Sequence, residues 1–263
     1  MKIIERAKEW GNGAGVRVPR NWLGVEVEVR PMIPLAIKEI QEKIIEIANP
    51  YLANIQGIYI TGSYARKEQT STSDIDILVI SDKKIKIPGR EPYDIYIISR
   101  NEINKIVKYY PLLIISMIRE AVPIINKSLL EDLRKIQLRS TYFKEYLEST
   151  KRALKIINGF LEGYEDSDIA TGSLIYPIIL RLRGLYLVEA LLKNKEYRVS
   201  KMKNDIEGLG IKMNKVEEIY KIYQVKRDTK KNLNSWVTIG EIKKIYSLVL
   251  KKYKETMRWL KEK

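Results

Sequence analysis

The chain has 263 residues and a net charge of +15, from 48 Lys and Arg against 33 Asp and Glu, and it contains neither Cys nor His. Those two absences exclude disulfides, thiol nucleophiles, Cys-based zinc sites, imidazole bases and Ser-His-Asp triads. Catalysis must then use carboxylates, Lys, Arg, hydroxyls, backbone amides or an oxygen-bound metal. The length suggests one large or two small domains. The opening MKIIERAKEW lacks the apolar stretch of a signal peptide, and charges interrupt the two most apolar segments, 103–125 and 175–192. No membrane span is expected, and the protein reads as soluble and cytoplasmic. Heavy use of Ile, Lys and Glu fits a thermophile or an AT-rich genome equally.

In chain order, residues 1–31 read as a short β module. Val16 and Val18 share one strand face; Val25, Val27 and Val29 share another, opposite Glu26 and Glu28. Pro31 and Pro34 close it, and Ile37, Ile40, Ile44 and Ile47 then recur at helical spacing. An apolar strand over 55–61 runs into Gly62, DIDILVI is a second strand, and DIYIIS a third after the loop 81–92. Ser99 with Glu102, and Ser128 with Glu131, read as capping boxes opening helices. From there to Lys263 the pattern is helical, with four to six helices expected. The boundaries expected are 1–31, 34–126 and 127–263.

Charge is unevenly divided. Residues 1–126 carry 18 basic and 15 acidic groups; residues 127–263 carry 30 and 18. The excess on the helical part is either solvated helix faces or a surface for a polyanion.

Chemistry concentrates in GSYARKEQTSTSDIDILVI, residues 62–80. A Gly at the end of a strand allows close backbone approach to a ligand, and free amides at a helix start suit phosphate oxygens. Ser63 adds a hydroxyl donor. Asp74 and Asp76, at i and i+2, point to one face of the second strand, with Ile75, Ile77 and Val79 on the other. Such a pair is costly without a cation between its members, and Mg²⁺ is the natural occupant. Asp94, opening the third strand, completes a three-carboxylate cluster if the strands are neighbours. Two metals held there would serve in-line nucleotidyl transfer without any imidazole. Arg66 and Lys67 read either as phosphate contacts or as solvated turn charges. Glu68 reads as a cap or as a partner for Arg66.

Gly62-Ser63, Ala65-Arg66, Glu68 and Ser73-Asp74-Ile75-Asp76 resemble the signature of the polymerase-β-like nucleotidyltransferase superfamily, in its minimal nucleotidyltransferase branch. The resemblance covers roughly residues 34–126. It implies an α/β fold with a mixed sheet flanked by helices, and a Gly-Ser turn that holds a triphosphate. By the same resemblance, Gly62 and Ser63 take the phosphate role and Asp74, Asp76 and Asp94 the metal and catalytic roles. Lys67 stands where the family pattern has Gly.

Two flanking segments carry weaker resemblances. Gly11-Asn12, Gly15-Val16-Arg17-Val18-Pro19 and Gly24-Val25-Glu26-Val27 resemble the AbrB/SpoVT-type swapped-hairpin family, which implies a dimer and DNA contact through Arg17, Arg20 and Arg30; a small β extension is the plainer reading. The helical part resembles partner domains of minimal nucleotidyltransferases, including the HEPN type, with YPIILRLRGLYLVEALL as a central buried helix. The HEPN ribonuclease motif needs a His that this chain lacks. Tyr220, Tyr223, Lys226, Arg227 and Asp228 form a stripe that could border a substrate cleft. Two functions are therefore in view. One is Mg²⁺-dependent transfer of AMP from ATP to a protein hydroxyl, an RNA end or a small molecule. The other is a DNA-binding or antitoxin-like regulator that senses nucleotide.

Overall fold

The computed structural model describes residues 5–27, 29, 34–70, 73–89, 91–229, 233 and 235–261, with side chains omitted at 228, 229 and 261. The chain divides into two units, Met1–Ile33 and Pro34–Lys263.

In the first unit, β1 (Lys8–Trp10) and β2 (Gly13–Gly15) form an antiparallel hairpin with Trp10 opposite Gly13. Gly11, at φ +59°, makes the two-residue turn with Asn12. This corrects the strand reading of the valines. Val16 and Val18 lie beyond the hairpin and run into Pro19, which has no N–H for a ladder, and a 3₁₀ turn follows at Arg20–Trp22. Val25, Val27 and Val29 are outside strands and exposed, because no other strand of this unit pairs with them among the described residues. Glu28 and Arg30 lie outside the described residues.

In the second unit, α1 (Ile37–Ala48) opens with the Glu39 carboxylate accepting from the Ala36 N–H at 2.8 Å. Its Ile40, Ile44 and Ala48 are fully buried. They cover one face of a four-stranded mixed sheet of β3 (Ile55–Ile60), β4 (Ile75–Ser81), β5 (Tyr93–Ser99) and β6 (Val122–Ile125). The order is β5-β4-β3-β6. β3 pairs antiparallel with β4 and β6, and β4 runs parallel to β5. Ile58, Ile60, Ile75, Ile77 and Val79 meet α1, and burying each such side chain contributes about 1.5–3 kcal/mol. Tyr59, Leu78, Ile80 and Ile98 on the other face enter a larger core shared with the helices. The sheet is thus buried on both faces, where the sequence reading had only one apolar face on β4.

The 103–125 stretch holds three elements: α3 (Ile103–Tyr109), α4 (Pro111–Glu120) and β6. Pro111 starts α4 as a first-turn proline. Neither expected capping box forms. Ser99 donates to the Asp82 carbonyl at 3.4 Å, and Glu102 pairs with Lys84. α5 (Lys127–Arg134) is capped instead by Asn126, whose side chain accepts from the Leu129 N–H at 3.0 Å. Asn also tolerates the φ of +63° found there, which Ser does less well. The rest is helical among the described residues: α6 (Lys144–Glu162), α7 (Gly172–Leu192), α8 (Val199–Glu207), α9 (Met213–Thr229) and α10 (Ile239–Lys261). α7 is buried over most of its length, as its predominantly apolar sequence predicts, although Arg181, Arg183 and Glu189 interrupt it. Among the described residues, no helix is long and apolar enough to cross a membrane.

Candidate active site

Antiparallel pairing of β3 with β4 brings the end of β3 beside the start of β4. The ladder ends with the Thr61 N–H donating to the Asp76 carbonyl at 2.8 Å. The chain then turns sharply into α2 (Gly62–Ala65), with Gly62 at φ +69°. A Cβ on Gly62 would lie 2.8 Å from Asp76 Cγ and closer still to Oδ2, so only glycine fits against this carboxylate. Ser63 follows, half-buried, at the start of the helical turn.

On the other side of Asp76, β5 lies parallel to β4 with Asp94 as the register partner of Asp76. The connection contains no helix, yet the strands are neighbours. Asp74 lies one residue before β4; it and Asp94 are exposed, and Asp76 is half-buried. Among the described residues, no three carboxylates converge as a ready metal cage. The three expected ligands are brought to one end of two strands, where like charges repel and Asp74 is no longer held by the ladder.

Burial pushes the Asp76 carboxyl up to about 6, assisted by the charges of Asp94, Glu120 and Asp74 and opposed by Arg66. A carboxylate so placed is a strong attractor for a cation. The donors are all hard oxygens, which suits Mg²⁺ or a similar divalent ion.

Arg66 is not turned out to solvent. Its Nε donates to Glu68 at 2.9 Å and its Nη1 to Glu120 at 2.6 Å, and its guanidinium lies 5.7 Å from the centre of the Tyr197 ring. Glu68 is the partner of Arg66 and also accepts from the Val199 N–H at 3.0 Å, tying the turn to α8. Lys67 is exposed at φ +58°, the conformation for which glycine is the easy choice.

Glu120, at the end of α4, was missed by the sequence reading. Its carboxylate accepts from the Gly62 N–H at 2.8 Å as well as from Arg66. Burial pushes its pKa up, opposed by Arg66, the Gly62 amide and Arg183. The only signal was an acid ending the apolar run PLLIISMIRE. Tyr96 was also missed; two residues beyond Asp94 on β5, it is raised by burial and by Asp76, Asp94 and Asp74, with Arg227 opposing.

Residues 42–137 match the family model described as polymerase beta, nucleotidyltransferase. This segment is a polymerase-β-type nucleotidyltransferase domain. It spans the Gly62 turn, the three aspartates and Glu120, so the site lies wholly inside the nucleotidyltransferase domain. A candidate nucleotidyltransferase from Sulfolobus solfataricus is 28% identical over 26% of this chain and 70% of its own, with a TM-score of 0.22. No curated protein matches the chain. The family match does not extend to residues 1–41, where the swapped-hairpin resemblance lies, or to 138–263.

Proposed function

We propose that this protein transfers a nucleoside monophosphate, AMP from ATP, to an acceptor hydroxyl. The observation that carries the reading is the Gly62 turn seated against Asp76, with Asp94 as strand neighbour, inside the nucleotidyltransferase domain. The Ser63 hydroxyl and the amides of α2 after Gly62, whose own N–H is held by Glu120, take phosphate oxygens. Asp74, Asp76 and Asp94 would hold Mg²⁺, two ions in this reading. The metal supplies Lewis-acid stabilisation of the phosphoryl oxygens and the departing pyrophosphate. The acceptor oxygen bonds to the α-phosphorus, the bridging bond to the β-phosphate breaks, and pyrophosphate leaves. Asp94, exposed at the strand end, takes the acceptor's proton.

The acceptor is a protein hydroxyl, an RNA end or a small molecule. Incubation with α-labelled ATP, Mg²⁺ and fractionated lysate identifies it by where the label appears. Labelling of none of the three fractions, with each of the four nucleotides tried, would refute the reading. The first unit, with Arg17 and Arg20 on a compact hairpin module, supports contact with duplex DNA and self-association as accessory roles.

A further inference from the structure

Arg183 lies mid-way along α7, largely buried against Tyr197, Tyr220 and Tyr223. Its Nη1 donates to the Tyr223 hydroxyl at 3.3 Å. Its Nε is buried with no hydrogen-bond partner among the described residues, and the Tyr197 hydroxyl beside it is buried facing Arg183 without a well-formed hydrogen bond. Arg183 forms no salt bridge among the described residues, whereas the neighbouring Arg66 is held by Glu68 and Glu120. A guanidinium cannot shed its charge, and a desolvated one without an anion is costly. This position therefore carries a positive charge that no carboxylate pairs with directly among the described residues.

The cluster borders the catalytic residues on two sides. Glu120, which holds the Gly62 amide, also holds Arg66, whose guanidinium lies 5.7 Å from the Tyr197 ring of this cluster. Tyr223, the Arg183 partner, stacks on Tyr176 at 5.5 Å and carries the Arg227 guanidinium 6.0 Å from its ring centre. Arg227 in turn acts on Tyr96, which also feels the three aspartates. Gly62 thus touches Asp76 directly and is linked through Glu120 and Arg66 to the Tyr197 ring of this group.

We propose that Arg183, with the Tyr197 and Tyr223 hydroxyls, forms a phosphoryl-binding subsite contributed by the helical region. The unpartnered Nε donor remains for the ligand, on a planar fork that matches phosphate oxygens. The inference rests on the nucleotidyl-transfer reading for the identity of that ligand. Its chemistry, a phosphate dianion, is shared by the terminal phosphates of the triphosphate and by a phosphate on the acceptor.

The test uses the full chain and inorganic pyrophosphate, titrated calorimetrically into wild type, Arg183→Met and Arg183→Lys, with thermal melts of each. Wild type is expected to bind pyrophosphate, and Arg183→Met to lose about tenfold or more in affinity. Arg183→Met should also melt at the same or a higher temperature, because a buried charge has gone. A lower melting temperature with unchanged affinity makes Arg183 a packing residue and overturns the proposal, as does failure of wild type to bind at millimolar pyrophosphate. If Arg183→Met does not fold, Arg183→Lys decides, since losing the fork while keeping the charge must still weaken binding. Displacement of pyrophosphate by ATP assigns the subsite to the triphosphate; binding of both together assigns it to the acceptor's phosphate. Pyrophosphate binding that depends on Arg183 in a protein that transfers no nucleotide keeps the subsite and removes the transfer reading. Transfer with unchanged nucleotide KM and unchanged pyrophosphate affinity in Arg183→Met does the reverse.

Discussion

The carboxylate of Asp76 lies against the Cα of Gly62, leaving no space for a Cβ, and Gly62 is held at φ +69°. The turn and the carboxylate are thus one steric unit, and a double-mutant cycle should show it. Gly62→Ala pays both the left-handed backbone, about 1–2 kcal/mol, and the collision with Asp76. Asp76→Gly in the same chain should remove the collision and leave the backbone cost. Urea unfolding of the two single variants and the double variant measures this; strict additivity would show that the two residues do not press on each other.

Asp76 also sets a pH dependence. Its folded pKa of about 6 is above the ordinary value of 3.8, so the native state binds a proton that the unfolded chain has already released. Stability contributed by that proton is fully present below about pH 4 and is lost as pH rises through 6. Asp76→Asn should therefore raise the melting temperature at pH 7 in EDTA and do so less at pH 4. The gain at pH 7 is about 2–3 kcal/mol at most. Added Mg²⁺ should raise the melting temperature of wild type and not of the variant.

At Lys67, φ is +58° and the side chain is exposed, so the backbone decides the outcome. Lys67→Gly should leave stability unchanged or raise it by up to about 1 kcal/mol, as left-handed strain is relieved against greater freedom of the unfolded chain. Lys67→Val, β-branched at the same φ, should lower stability by about 1–2 kcal/mol. Equal melting temperatures for the two variants would contradict this.

The compact unit Met1–Ile33 holds none of the proposed ligands. A protein beginning at Pro34 should keep nucleotide transfer within about threefold, a change of under 1 kcal/mol. It should lose self-association or duplex binding, read by light scattering and by salt-dependent DNA titration. Loss of all transfer by a folded truncated protein would refute this division.

The site was legible where its chemistry is local in sequence. Gly62, Ser63 and Asp76 fall within one turn and one strand, with Asp74 one residue before it, so spacing alone placed them near one another. Asp94 needed the strand neighbour, which the register supplies. Glu120 and Arg183 were not legible, because they lie on α4 and α7, helices that pack against each other after a long interval of chain. Arg66 could be read two ways, and packing decided it: Glu120 reaches the guanidinium from α4. In the N-terminal unit, alternating valines suggested strands, but alternation makes a strand only where a partner offers a ladder, and Trp10 and Gly13 flank the turn that forms one.

The central claim is that Asp76 and the Gly62 turn form a nucleotidyl-transfer centre. The most direct measurement is pyrophosphate release from ATP with Mg²⁺ and the labelled acceptor, for wild type and Asp76→Asn side by side. Wild type should release pyrophosphate in step with label transfer, and Asp76→Asn, folded by circular dichroism, should lose at least about a hundredfold in rate, or roughly 3 kcal/mol of transition-state stabilisation. Transfer by Asp76→Asn at the wild-type rate would contradict the account.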